Sequence, residues 1–75
     1  MDTANIEPEQ LSAREKEVLR WLCDGKSNWE IGRILGLSPY TVKNHVSNIL
    51  KKLGANNRRH AVIKAIELGL ITYEQ

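Results

Sequence analysis

An all-α fold, a four-helix bundle enclosing a helix-turn-helix, is predicted by three features of this 75-residue sequence. Apolar residues recur at helical spacing in four successive stretches. Each stretch opens on a residue that caps helices, and each closes on a glycine. No segment alternates polar and apolar residues in the manner of a half-buried strand.

The elements follow in order. Met1 to Gln10 are polar, acidic and interrupted by Pro8, and read as a tail or the end of a linker. Ser12-Ala13-Arg14-Glu15 is a capping box: the serine accepts an orphan backbone N–H and the glutamate reaches back to another. Val18, Leu19, Leu22 and Cys23 share the inner face of the first helix, and Gly25 stops it. Ser27-Asn28-Trp29-Glu30 is a second capping box, opening a short helix with Ile31, Ile34 and Leu35 directed inward. Gly36 ends that helix, since only glycine enters the left-handed region without steric cost. Ser38-Pro39 restarts the chain with an N-cap and a proline at the first helical position. Val42, Val46, Ile49, Leu50 and Leu53 then form a helical stripe, stopped by Gly54. Asn57 caps a fourth helix and Gly69 closes it. The folded domain is expected over 11–71, with a C-terminal tail at 72–75.

Size and composition narrow the function. A chain this short buries only about 60% of the surface it exposes when unfolded, which leaves no room for a deep catalytic cleft. Leu, Ile and Val nevertheless supply 20 residues, enough for a folded core. A single cysteine, Cys23, excludes an internal disulfide. With no bilayer-length apolar run and no signal-peptide pattern, a cytoplasmic domain without membrane association is expected. Gly25-Lys26-Ser27 resembles the end of a phosphate loop, but the required first glycine is Arg20 and no strand precedes it. Cys23, His45 and His60 lack metal-ligand spacing. No metal, no cofactor and no enzymatic activity are expected.

Charge gives the positive signal. Residues 1–37 sum to −2 and residues 38–75 to +4, and no acid lies between Glu30 and Glu67. At about 100° per residue, the face of the third helix opposite its apolar stripe holds Tyr40, Asn44, Ser47, Asn48 and Lys51, with Lys43 at its edge. An ordinary exposed face mixes glutamate with lysine. This one offers short amide and hydroxyl tips flanked by cations, the combination that suits base edges and phosphates of a major groove. A protein-interaction module using the same basic face on an acidic partner is the alternative.

Five linked motifs carry a resemblance. They are Leu11-Ser12-Ala13-Arg14-Glu15-x-Glu17-Val18-Leu19, Gly25-Lys26-Ser27-Asn28-x-Glu30-Ile31, Leu37-Ser38-x-x-Thr41-Val42-Lys43-Asn44-His45, Asn48-Ile49-x-x-Lys52-Leu53-Gly54 and Asn57-Arg58-x-x-Ala61-Val62. In this order, from Leu11 to about Ile71, they resemble the LuxR-type helix-turn-helix domain of bacterial transcription regulators. The resemblance implies a DNA-binding output domain with the third helix as recognition helix. It matches Lys43, Asn44 and Ser47 to base-contacting positions, and Ser27, Asn28, Thr41 and Lys52 to backbone-contacting ones; Tyr40 and Lys51 join the latter from their place on the exposed face. It also implies a homodimer through the last helix, contact with RNA polymerase and an N-terminal sensor or receiver domain. Two positions depart from the pattern: Trp29 stands where a basic residue is common, and Gly32 where alanine is common.

Three further expectations concern individual side chains. Glu15 falls within the apolar arc of the first helix, so its carboxylate should be covered and need a cation; Arg58, matching the family's arginine, is the candidate, an exposed cap the alternative. Trp29 points away from the apolar face beside Arg33, either packing across that arginine, leaning on a phosphate backbone or docking a partner. On the last helix Ala61, Val62, Ala65 and Leu68 form a core stripe. Ile63, Ile66 and Leu70 form an outer apolar strip, suited to weak dimerisation that DNA strengthens. The alternative covers that strip with Ile6, Trp21 or the Ile71–Tyr73 segment.

Overall fold

The structure, a computed structural model, describes residues 10–71, which form four helices and no strand: α1 (Ala13–Cys23), α2 (Asn28–Leu35), α3 (Pro39–Leu53) and α4 (Arg58–Glu67). The expected tails lie outside the described residues, apart from Gln10. Ile6 and Tyr73, possible covers for the outer strip of α4, lie outside them too.

Each helix begins on its cap. Ser12 Oγ accepts from the Glu15 N–H at 3.1 Å, while Glu15 Oε1 accepts from the Ser12 N–H at 2.9 Å. Ser27 and Glu30 repeat the arrangement at 3.1 and 2.8 Å. Ser38 Oγ accepts from the Thr41 N–H, and Asn57 Oδ1 from the His60 N–H. Each such cap contributes about 1 kcal/mol by satisfying a donor the helix cannot.

The helix ends share one device. At the close of α2, Gly36 turns left-handed at φ 74°, and the N–H groups of Gly36 and Leu37 both donate to the Gly32 carbonyl. Bonds of the same span run from Lys26 to Trp21, Ala55 to Leu50 and Leu70 to Ala65. These tight reversals bring consecutive helices into contact, and α3 packs against all three others.

Leu11 and the Val18, Leu19 and Leu22 face of α1 meet Ile31 of α2 and the Val42–Val46–Ile49–Leu53 stripe of α3. Fully burying each aliphatic side chain contributes roughly 1.5–3 kcal/mol. From α4 the core receives only Ala61 and Ala65, both fully buried. Their small size lets α4 lie close to its neighbours.

Three expectations are corrected. Ile34 is 45% exposed. The buried side of α2 is centred on Ile31 and Gly32, and Ile34 lies on the opposite flank of Ile31. Leu68, expected in the core stripe, is exposed because α4 ends at Glu67 and Leu68 is its C-cap. Leu70, expected on the outer strip, packs against the core instead, since the turn at Gly69 folds the chain back.

Gly32 is more than a weak helix former. A β-carbon there would stand 2.4 Å from the Leu37 carbonyl oxygen, a backbone atom with no freedom to swing aside. Helix propensity alone would make Gly32→Ala stabilising by about 1 kcal/mol. The steric conflict opposes this, and overpacking costs typically about 1–3 kcal/mol. Urea denaturation should therefore show Gly32→Ala to be less stable than the parent; a gain would mean that the turn relaxes freely.

Candidate nucleic-acid interface

Burying the Val42–Leu53 stripe fixes which side of α3 faces solvent. Tyr40, Lys43, Asn44, Ser47, Asn48 and Lys51 are all exposed, Tyr40 at 72%. The structure thus brings Lys43, Asn44 and Ser47 together on one face with Tyr40 and Lys51, and α3 carries no acid anywhere along its length. Thr41 is half-buried, and its Oγ1 accepts from the Ser38 hydroxyl at 3.1 Å.

Ser27 and Asn28 open α2. The capping box occupies both the hydroxyl and the N–H of Ser27. The Ser27 N–H holds Glu30 below the ordinary carboxylate value, outweighing slight desolvation. Asn28 is half-buried, and its Oδ1 accepts from Arg58 Nη1 at 2.8 Å. One helical step on, the Arg33 guanidinium lies 5.1 Å from the centroid of the Trp29 ring, so the indole packs across that arginine. Trp29 remains 59% exposed and, with Ile34, borders a shallow recess.

The Glu15 carboxylate is covered, at 6% exposure, but its partner is not Arg58. Lys52 Nζ donates to Glu15 Oε1 at 2.8 Å and to the Gln10 carbonyl at 2.9 Å. Burial pushes the Glu15 carboxyl up. The hydrogen bonds from Lys52 and Ser12, with the lysine charge, outweigh it and leave Glu15 below its ordinary value of 4.5. Lys52, still more than a third exposed, is thus tied to α1 and the segment before it. The helical wheel held this signal, for Lys52 lies on the flank of the apolar stripe, away from Lys43 and Ser47. Arg58 instead donates to Asn28 and, through Nη2, to the Lys26 carbonyl. No sequence spacing announces that contact, because backbone carbonyls leave no mark on residue type.

On α4, Ile63 and Ile66 are exposed at 48% and 46%, whereas Leu70 is not part of their strip. Ile63, Val62 and Arg59 form one wall of an open groove whose other wall is the end of α1, at Leu22 and Cys23.

This arrangement, a short helix and a capped second helix joined by a tight turn, with a basic amide-rich outer face, coincides with a known sequence family. Residues 9–65 match the model described as bacterial regulatory proteins, luxR family. The chain belongs to the luxR family. It is a helix-turn-helix domain of DNA-binding transcription regulation. Over 61 residues it is 56% identical to the transcriptional activator protein SolR of Ralstonia nicotianae, covering 81% of this chain and 26% of that protein. The transcriptional activator protein VanR of Vibrio anguillarum is 54% identical and LuxR of Aliivibrio fischeri 49%, again over 81% of this chain and 25% and 24% of theirs. The chain thus spans about a quarter of the length of these curated relatives. Among the described residues of this luxR-family domain, no helix is long and apolar enough to cross a membrane.

The Glu15–Lys52 contact gives a pH test. A carboxylate lowered in the folded state stabilises fully above its unfolded value, and that stability is lost as pH falls through the folded value. Chemical denaturation should show wild-type stability intact above about pH 4.5 and declining below it. Glu15→Gln should cost about 1–3 kcal/mol at neutral pH and show a shallower acid decline. An unchanged acid decline in Glu15→Gln would remove Glu15 from this role.

Proposed function

We propose that this domain binds duplex DNA sequence-specifically, as a dimer on an inverted repeat, with α3 in the major groove. The observation that carries the reading is the acid-free outer face of α3. Lys43, Asn44 and Ser47 read base edges and nearby phosphates, asparagine being able to bond adenine through two atoms. Ser27, Asn28, Thr41, Tyr40 and Lys51 meet the sugar–phosphate backbone, which sets register without carrying sequence information. Lys52 is left out of that set, since Glu15 and Gln10 engage its ammonium.

Ile63 and Ile66 form the two-fold contact between α4 helices. A symmetric pair sets two recognition helices into successive major grooves. The exposed strip is small beside the roughly 1,000 Å² that a stable interface needs, so the isolated domain pairs weakly until DNA holds two copies together. The relatives are named transcriptional activators and are a little over three times as long as this chain. Their names support a role in activation; contact with RNA polymerase, a sensor or receiver domain ahead of this segment, and action in the cytoplasm are part of the same proposal.

Two measurements test these assignments. Log affinity for DNA should fall against log salt with a slope near 0.9 per phosphate neutralised. Asn44→Ala should relax base preference by about 1–3 kcal/mol, whereas Lys51→Ala should weaken specific and random duplexes alike. Salt-independent affinity would reject the nucleic-acid reading; an Asn44→Ala variant with intact base preference would reassign the reading face. For the dimer, Ile63→Lys should abolish cooperative binding to a palindrome while leaving thermal melting unchanged, because Ile63 lies outside the core. Persisting cooperativity would place the two-fold contact elsewhere.

A further inference from the structure

We infer that Arg58 is a positioning residue for DNA binding, acting through the side-chain amide of Asn28. This rests on the DNA-binding reading above and deepens it. Arg58 opens α4, yet its guanidinium reaches the start of α2, donating to Asn28 Oδ1 at 2.8 Å and to the Lys26 carbonyl in the preceding turn. A guanidinium has only donors, so the end of the amide that faces it must be the oxygen. The end turned away is the NH2 group, which can only donate. Phosphate oxygens at neutral pH can only accept. Arg58 therefore sets the amide in the one orientation of the two that suits a DNA backbone. Without it the amide flips freely, and half of its orientations offer an oxygen to an oxygen.

The second bond, to the Lys26 carbonyl, anchors the turn that delivers Asn28. Both bonds come from one planar fork, whose geometry a lysine ammonium cannot reproduce. Arg58 is half-buried and already committed to these two acceptors, so its effect on DNA passes through Asn28 rather than through a phosphate contact of its own.

The experiment measures affinity for a short random-sequence duplex by fluorescence anisotropy at several salt concentrations, alongside thermal melting, using the 75-residue chain. Asn28→Asp keeps an acceptor for Arg58 but puts a carboxylate where the NH2 stood. It should melt no lower than the parent and bind about tenfold more weakly, the loss expected for a charge-assisted contact. Arg58→Met should weaken binding several-fold in the parent. In an Asn28→Ala background it should add nothing further and leave the salt slope unchanged. Undiminished binding by Asn28→Asp overturns the inference. So does an Arg58→Met effect that persists in full beside Asn28→Ala, or one that lowers the slope by about 0.9, the mark of a lost phosphate contact. Failure of the parent chain to bind the duplex at low salt would instead reject the DNA-binding reading itself.

Discussion

The close approach of the Leu37 carbonyl to Gly32 is the constraint on which the rest of the structure depends. The Gly32 carbonyl receives two N–H groups from the turn, and the bare α-carbon admits a third backbone atom to within 2.4 Å of where a methyl would stand. That contact sets how sharply α3 leaves α2. It directs the Gly32 side of α2 inward and thereby turns Ile34 out. Because α3 packs on every other helix, its direction in turn decides where the Val42–Leu53 stripe meets α1 and α4. Which residues of α3 remain exposed is a consequence of that docking, not a separate property of the helix.

A core of ten aliphatic and alanine side chains plus Leu11 has little redundancy, and polar ties supplement it. Among the described residues, side-chain hydrogen bonds from Lys52 and Arg58 join distant parts of the chain. Two of the seven cations in the acid-free stretch are thus engaged internally, and a third, Arg33, lies over an indole. The positive field offered by the α3 face is accordingly carried by Lys43 and Lys51. Counting basic residues in the sequence overstates it.

Much of this was legible beforehand because it is local. Capping boxes, the Ser38-Pro39 start and the glycine stops depend on neighbours within four residues, and the exposed face of α3 follows from its periodicity. What escaped was set either by contacts across thirty or more positions or by the turn that follows a helix. Assigning Glu15 to Arg58 rests on resemblance and charge; Lys52 satisfies the charge equally, and only packing chooses between them. Leu68 and Leu70 exchanged places because a wheel drawn past Glu67 continues a helix that the turn has already ended. Gly32 looked like a local weakness for the same reason: its cause is a carbonyl five residues on, in the turn that the helix enters.

The two tryptophans, finally, make the molecule optically informative. Trp21 lies half-buried against the core, while Trp29 stands largely in water beneath a guanidinium. Their indoles experience different polarity, so the two emissions separate in wavelength, the blue component following the integrity of the bundle and the red one the surroundings of α2. Replacing either ring by phenylalanine isolates the other, and folding can then be followed independently of events at the α2 surface without attaching any dye.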